Sequence, residues 1–252
     1  MSSPARKHFA RVSARDQAAA SAAGATIAGA SRYELMLVKL AADRARLHDV
    51  QSAERKAEVK RELLPDYADY VAGVMEGGRG AQDDVLATVL VWRIDAGDYV
   101  GALDIARYAL AHNLKLPDQF ARTLPVALAE EFADAALKAL QVEGGTFDHE
   151  LLAQVGELTE AADMPDQVRA KLLKGYALAL KVEPLDAATR WRHDTALKAL
   201  RRAVELNPRV GAKQEIGRIE KALADLDAAT QQNSDQGGNA QSNAGGDTAT
   251  GT

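Results

Sequence analysis

The sequence predicts an all-α protein, and three observations carry that prediction. Alanine is abundant and aromatic residues make up only 5% of the 252 residues, a balance that favours helices because alanine loses no side-chain entropy in one. No segment sustains the period-two alternation of a half-buried strand. Apolar residues instead recur at helical spacing between glycine and proline breakers. The expected architecture is a long N-terminal helix followed by antiparallel helix pairs, partly tetratricopeptide-like. Hydrophobic residues reach 47%, enough for a substantial core. The absence of cysteine excludes a disulfide scaffold and any thiolate metal site.

Taken in order, residues 1–30 are rich in Ala, Ser and Gly and carry Arg6, Lys7, Arg11 and Arg15. They are expected as a disordered basic arm. Ser31-Arg32-Tyr33-Glu34 is a capping-box pattern, in which hydroxyl and carboxylate satisfy the free N–H groups of a helix start. One long helix should follow to about Leu64. Tyr33, Leu37, Leu40 and Leu47 keep alternating 4/3 spacing if Arg44 fills the gap, a narrow stripe suited to self-association. After Val50 the stripe fades into charged Glu54 to Glu62. Pro65 interrupts, and Tyr67, Tyr70, Val71, Val74 and Met75 form a short apolar face that closes a region spanning 31–76.

Gly77-Gly78-Arg79-Gly80 breaks the chain and opens a second region, 77–165. Helices are expected at about 82–96, at 99–112 after the Gly97-Asp98 turn, and at 126–140 beyond a loop bracketed by Pro117 and Pro125. Thr146 is placed to cap another. Asp163-Met164-Pro165-Asp166 is a start signal for C-terminal helical hairpins over 166–227, with helices to about 182, at 191–206 and at 209–227. Residues 228–252 are polar and expected as a disordered tail. Ala102 with Ala109, and Ala196 with Ala203 before Pro208, resemble the second helix of a tetratricopeptide repeat, where small residues let helices approach closely.

The net charge of −5 conceals a strong asymmetry. Residues 1–31 carry four basic against one acidic side chain, residues 81–169 six against sixteen, and residues 170–227 twelve against eight. An acidic middle, suited to protein partners, thus lies between basic ends. Neither a secretory signal nor a membrane span is expected, since Phe9, Val12 and Ile27 are isolated and no run approaches the ~18 apolar residues that a bilayer needs.

Catalytic chemistry is sparsely signalled. No two of the five histidines are spaced i,i+4, so no helical zinc pair exists. There is no lysine-bearing phosphate loop, and Gly77–Gly80 lacks the lysine and hydroxyl that complete one. No cofactor is expected. Asp83-Asp84 is the candidate acidic pair for a Mg²⁺-dependent nuclease, but adjacent helical residues diverge by about 100°, and carboxylates at a helix start offset its dipole, so capping is the favoured reading of the pair. Two basic clusters could neutralise phosphates. One is Arg6, Lys7, Arg11 and Arg15. The other surrounds Lys198, Arg201 and Arg202, which share a helix face, with Arg190 and Arg192 close by in sequence.

Several blocks together resemble a known family. Tyr33-Glu34-Leu35-Met36-Leu37-Val38-Lys39-Leu40, Arg61-Glu62-Leu63-Leu64-Pro65, Gly80-Ala81-Gln82-Asp83-Asp84 and Trp92-Arg93-Ile94-Asp95-Ala96-Gly97-Asp98 are similar to the small terminase subunit of temperate contractile-tailed phages, the GpM type. Ala106-Arg107-Tyr108-Ala109-Leu110 and Ala162 to Leu172 continue the likeness. The resemblance implies viral DNA packaging in the host cytoplasm: a homo-oligomer, often a ring, that binds double-stranded viral DNA at the packaging site and recruits the large terminase subunit with its motor ATPase. It also implies an endonuclease label, for which Asp83 and Asp84 are the residues to test. The family is associated with Lys/Arg-rich C-terminal tails, whereas this tail is polar and acidic, which shifts weight to the arm at Arg6–Arg15. A tetratricopeptide-like adaptor without DNA binding is the other reading of the helical pattern.

Overall fold

The computed structural model describes residues 3–20, 31–117, 121–181 and 185–241, with residues 20, 31 and 232–241 as backbone only. The helices are α1 (Pro4–Ala20), α2 (Ser31–His48), α3 (Ala53–Leu63), α4 (Ala68–Gly77), α5 (Asp84–Ala96), α6 (Tyr99–Ala111), α7 (Leu124–Leu140), α8 (His149–Leu158), α9 (Asp166–Leu180), α10 (Arg190–Leu206) and α11 (Lys213–Gln241). A 3-10 turn at Leu64–Asp66 joins α3 to α4. The all-α expectation holds, with no strand among the described residues.

α5 is the centre. Ten of its side chains are buried, from Val85 to Ala96, on every side of the helix. A helix apolar all round must be surrounded, and α2, α3, α6 and α7 pack on it. The main core gathers residues from α1 to α9, and a second core joins Ala177 and Leu180 of α9 to Leu197, Leu200, Ile219 and Leu223 of α10 and α11. α9 thus belongs to both. Ala102, Ala109, Ala196 and Ala203 are all essentially unexposed, as close packing of α6 and α10 requires; any closely packed helix pair has this property, so it does not establish a repeat.

Four expectations are corrected. The single helix from residue 31 to about 64 is two, because Ser52 starts a new one, its hydroxyl accepting from the Arg55 N–H at 3.3 Å. The Ser31 side chain expected to cap α2 lies outside the described residues. The stripe expected for self-association joins the chain's own core: Tyr33, Leu40 and Leu47 are buried and Leu37 packs against them. Asp148, not Thr146, caps α8, accepting from the Glu150 N–H at 2.8 Å. Finally, the polar tail is helical as far as Gln241, since Ala228, Ala229 and the glutamines that follow are acceptable helix formers; residues 242–252 lie outside the description.

The expected basic arm is also largely a helix. α1 packs along α4 in the same direction, with Arg11 and Ala14 over Gly73 and Arg15 over Gly77. A Cβ on Gly73 would stand 2.8 Å from the Ala14 Cβ, nearer than two carbons can sit. Ala10, Ala14 and Ala18 form the buried side of α1. Alanine every fourth residue on one helix and glycine at the matching spacing on the other bring the two backbones close. The arm's composition suggested disorder because α1 has little apolar bulk. It is held instead by backbone proximity.

The N-terminus of α5 lies in the core, so its free N–H groups cannot turn to water. Asp83 answers this. It is unexposed, accepts from the Leu86 N–H at 2.8 Å and from the Tyr70 hydroxyl at 2.7 Å, and also accepts from the Val85 N–H. Burial pushes its carboxyl up to about 6, against the pull of these donors, which favour the ionised form. The Tyr33 hydroxyl, 3.5 Å from the Asp84 N–H, is pushed up to about 12 by burial and by Asp83. Nearby, the Tyr67 hydroxyl donates to Asp43 at 2.6 Å, Lys39 joins Asp43 to Asp66, and the Tyr67 ring meets Trp92 edge-on at 5.9 Å. These contacts tie α2 and the 3-10 turn to α5.

Two outcomes are expected. Gly73→Leu should detach α1, lowering stability by about 1–3 kcal/mol and exposing Arg11 and Arg15 to trypsin while the rest of the chain stays folded. The Asp83 carboxyl, at about 6 when folded against roughly 3.9 unfolded, contributes stability that is complete below the unfolded value and lost as pH rises through 6. Asp83→Asn keeps a cap and removes that titration. The stability difference between the variant and the wild type should therefore shift in the variant's favour between pH 4 and 7, by up to about 3 kcal/mol, in paired urea melts. Asp83→Ala should instead cost about 2 kcal/mol at pH 7 through the missing cap and the orphaned Tyr70 hydroxyl.

Candidate nucleic-acid interface

The candidate side chains occupy unequal settings. Arg6 and Lys7 are exposed on the first turns of α1 and make no ion pair among the described residues. Arg11 is paired with Glu76, its Nε donating at 2.9 Å, and Arg15 with Asp16 at 2.9 Å. The parallel docking of α1 on α4 carries Arg15 to Gly77, at the start of the glycine loop.

That loop brings in two cations that sequence reading did not assign to DNA. Arg79 is exposed at its tip and has no ion pair among the described residues. Lys115 is exposed too, and its backbone is tied to the loop by two hydrogen bonds with the Gln82 amide, each 2.9 Å. Gly80 adopts a left-handed φ of +78°, donates to the Tyr108 hydroxyl at 3.2 Å, and packs where a Cβ would strike His112. The loop is therefore a fixed turn seated on α6. Nothing short of the fold could tie Lys115 to Gln82, two residues past the loop, since 33 positions separate them. The signal in the sequence was weak: the arginine within the Gly77–Gly80 breaker.

The second basic cluster lies over the other core. Arg201 pairs with Glu220 at 2.7 Å, Arg202 with Glu205 at 2.8 Å, and Arg190 with Asp227 and Asp194. Lys198 is exposed and without an ion pair among the described residues. Trp191 is 53% exposed with the Arg192 guanidinium 5.3 Å from its ring. Most of this cluster's charge is met within the chain.

The acidic pair is not a matched pair. Asp83 is the buried cap already described. Asp84 is half-buried, and its carboxylate accepts from the Gln82 amide at 3.1 Å. No group of three or more His, Cys, Asp or Glu among the described residues is placed to hold a metal ion. Asp95 pairs with Lys60, Asp98 with Arg93 while capping α6 through the Gly101 N–H at 3.0 Å, and Asp104 with Arg107. No helix of the described residues is long and apolar enough to cross a membrane.

Over 223 residues the chain is 48% identical to the terminase, endonuclease subunit of Escherichia phage P2, covering 88% of this chain and 86% of that protein. It is 24% identical over 193 residues to the probable terminase, endonuclease subunit of Haemophilus phage HP1, covering 74% and 68%. No solved structure matches. The phage small terminase subunit model matches residues 37–167, a span that runs from α2 into α9 and includes the α5 cap and the glycine loop. On these matches, the chain belongs to the phage small terminase subunit family.

Proposed function

We propose that this chain is the DNA-recognition subunit of a phage packaging complex. It binds double-stranded viral DNA at the packaging site, self-associates, and engages the large terminase subunit, whose motor drives DNA into the procapsid in the host cytoplasm. The observation that carries the DNA-binding reading is that Arg6 and Lys7 on α1, Arg79 on the glycine loop and Lys115, hydrogen-bonded to Gln82 just past that loop, are exposed and make no ion pair among the described residues, with α1 docked on the helix that leads into the loop. Phosphates are held by such side chains because each contact releases condensed counterions. Repetition of a modest patch around an oligomer raises avidity without a strong site in any one copy.

This reading makes the docked α1 a rigid part of the contact surface, not a loose tether. Arg201 and Arg202 contribute little, because each already has a carboxylate partner; Lys198 is the residue of that cluster able to join. The exposed acidic side chains of the middle region suit a protein partner, which supports contact with the large subunit there.

The endonuclease named in both relatives is the second reading. What favours it is those names, together with the half-buried Asp84 at the mouth of the glycine loop. It requires Mg²⁺ and a carboxylate that can reach a phosphate, which Asp83 cannot do from its buried cap. A helical adaptor without a DNA role would bind no DNA at any salt concentration.

Anisotropy titrations with duplex DNA across a salt series test the first reading. Replacing Arg6, Lys7, Arg79 and Lys115 by alanine should weaken binding uniformly across sequences and lower the salt slope by about one for each phosphate no longer neutralised. Arg201→Ala with Arg202→Ala should change the slope little. An unchanged slope in the fourfold variant overturns the interface. The endonuclease reading is checked on supercoiled plasmid with Mg²⁺: the purified chain should leave it intact, and nicking that disappears with Asp84→Asn would establish a nuclease.

A further inference from the structure

α2 carries a second apolar face, on the side away from its buried stripe. Leu35 is 62% and Val38 70% exposed, and Ala41, Ala42 and Ala45 are exposed with them. Leu35, Val38, Ala42 and Ala45 follow 3-4-3 spacing, which at 3.6 residues per turn makes one straight seam. Its two halves differ. The N-terminal half is bulky and the C-terminal half is all alanine. Glu34, exposed and without an ion pair among the described residues, stands beside the first half. His48, with its side chain 90% exposed and its Nδ1 3.8 Å from the Asp49 carboxylate, stands on the same edge beside the second.

We infer that this face pairs with itself: α2 of one copy lies antiparallel against α2 of a second, about a two-fold axis at the level of Leu40. The inference rests on the self-association proposed above and names the surface. In that arrangement Leu35 of one copy falls opposite Ala45 of the other, and Val38 opposite Ala42. Each bulky side chain enters the space left by an alanine, so the seam fills evenly and the backbones approach closely. A two-fold axis perpendicular to the helices keeps each edge of one helix against the same edge of its mate, so Glu34 meets the second copy's His48. The helix dipoles oppose one another, and each acidic N-terminal end lies beside a C-terminal end. Parallel pairing would set bulk on bulk and alanine on alanine, leaving half the seam underfilled. The fit of the two halves to each other is what commits the face to a second copy, since an unrelated partner would have no reason to match it.

Such a contact is isologous and closes at two copies, so a larger ring would need a further surface. One helix face is at the small end of specific interfaces, and dissociation in the range of roughly 1–100 μM is expected.

The cysteine-free chain permits a direct test. Val38→Cys and Ala42→Cys proteins, each otherwise full length, are mixed and mildly oxidised. Antiparallel pairing predicts that the mixed Val38→Cys/Ala42→Cys disulfide dominates, because those positions face one another within bonding distance. Predominant Val38→Cys homodimers, or no cross-linking, would overturn the arrangement. In parallel, sedimentation velocity on Leu35→Glu/Val38→Glu should show at least tenfold weaker association, with circular dichroism and melting temperature preserved because both side chains are exposed. If that variant assembles like the wild type, self-association stands and this face is refuted. If the wild type is monomeric at every concentration, both claims fall while the DNA-binding outcome remains separately readable.

Discussion

The constraint on which the structure depends is the burial of α5. A helix with apolar residues on every side gains most by being enclosed, but enclosure takes its first N–H groups away from water. Both ends are resolved by neighbours. Asp83 accepts from the Leu86 and Val85 N–H groups at the start. At the far end Gly97 turns left-handed with φ +83°, and the Arg61 Nε donates to the Ala96 carbonyl at 2.8 Å. The buried carboxylate then needs donors of its own, which is why Tyr70 points at it from α4. Desolvation and Asp83 together hold the Tyr70 hydroxyl protonated far above its usual range, so it remains a donor at every ordinary pH. One cap therefore fixes where α4 lies, and α1 follows because it packs on α4.

The charge blocks seen along the chain partly cancel once it folds. Lys171, from the basic C-terminal segment, reaches Glu130 at 3.5 Å and Asp134 at 3.0 Å on α7. Arg122 joins Glu130 and lies 3.0 Å from Glu131. Arg122 and Lys171 together pull the Glu130 carboxyl below its usual value, even against burial, whereas burial and Asp95 leave Glu131 raised. These pairs are half-exposed and each adds little stability, but those of Lys171 lie across the α7–α9 contact and reinforce the helix shared by both cores. A run of like charge in sequence thus does not translate directly into a patch of like charge on the surface.

Much of the fold was legible in the residues alone. Helices at Asp84–Ala96, Tyr99–Ala111 and Arg190–Leu206 followed from periodicity and from the glycine and proline breaks between them. What was illegible had identifiable causes. The stripe on α2 was found, but a narrow apolar stripe fits a partner helix and a home core equally well, and periodicity carries no information on which is present. α1 was read as disorder because its docking relies on small residues that create no hydrophobic signal; the cue was Gly73 and Gly77 at matching spacing. Asp83 and Asp84 looked equivalent as neighbours, although one faces the core and the other its edge. The site was harder still, since an interface of cations depends on which ones lack carboxylates in space. Arg11 and Arg201 could not be separated from Lys7 and Lys198 by residue type.

The docked state of α1 changes the physics of the proposed DNA contact. A flexible arm must surrender backbone entropy when it settles on a duplex, about 1–2 kcal/mol for each residue fixed. α1 has already met that cost in folding against Gly73 and Gly77. Contacts from Arg6 and Lys7 would then add to affinity nearly undiminished, as preorganised contacts do. The same rigidity removes reach. Cations on α1 hold a fixed distance to Arg79 and Lys115, so they can meet only phosphates whose spacing matches, and a bent or misplaced duplex forfeits several at once. A chain with a net charge of −5 repels DNA at long range, and salt screens that repulsion within about 10 Å. Binding by such a protein depends on how local cations are arranged and not on the total charge, and the helix on glycine gives that arrangement its stiffness.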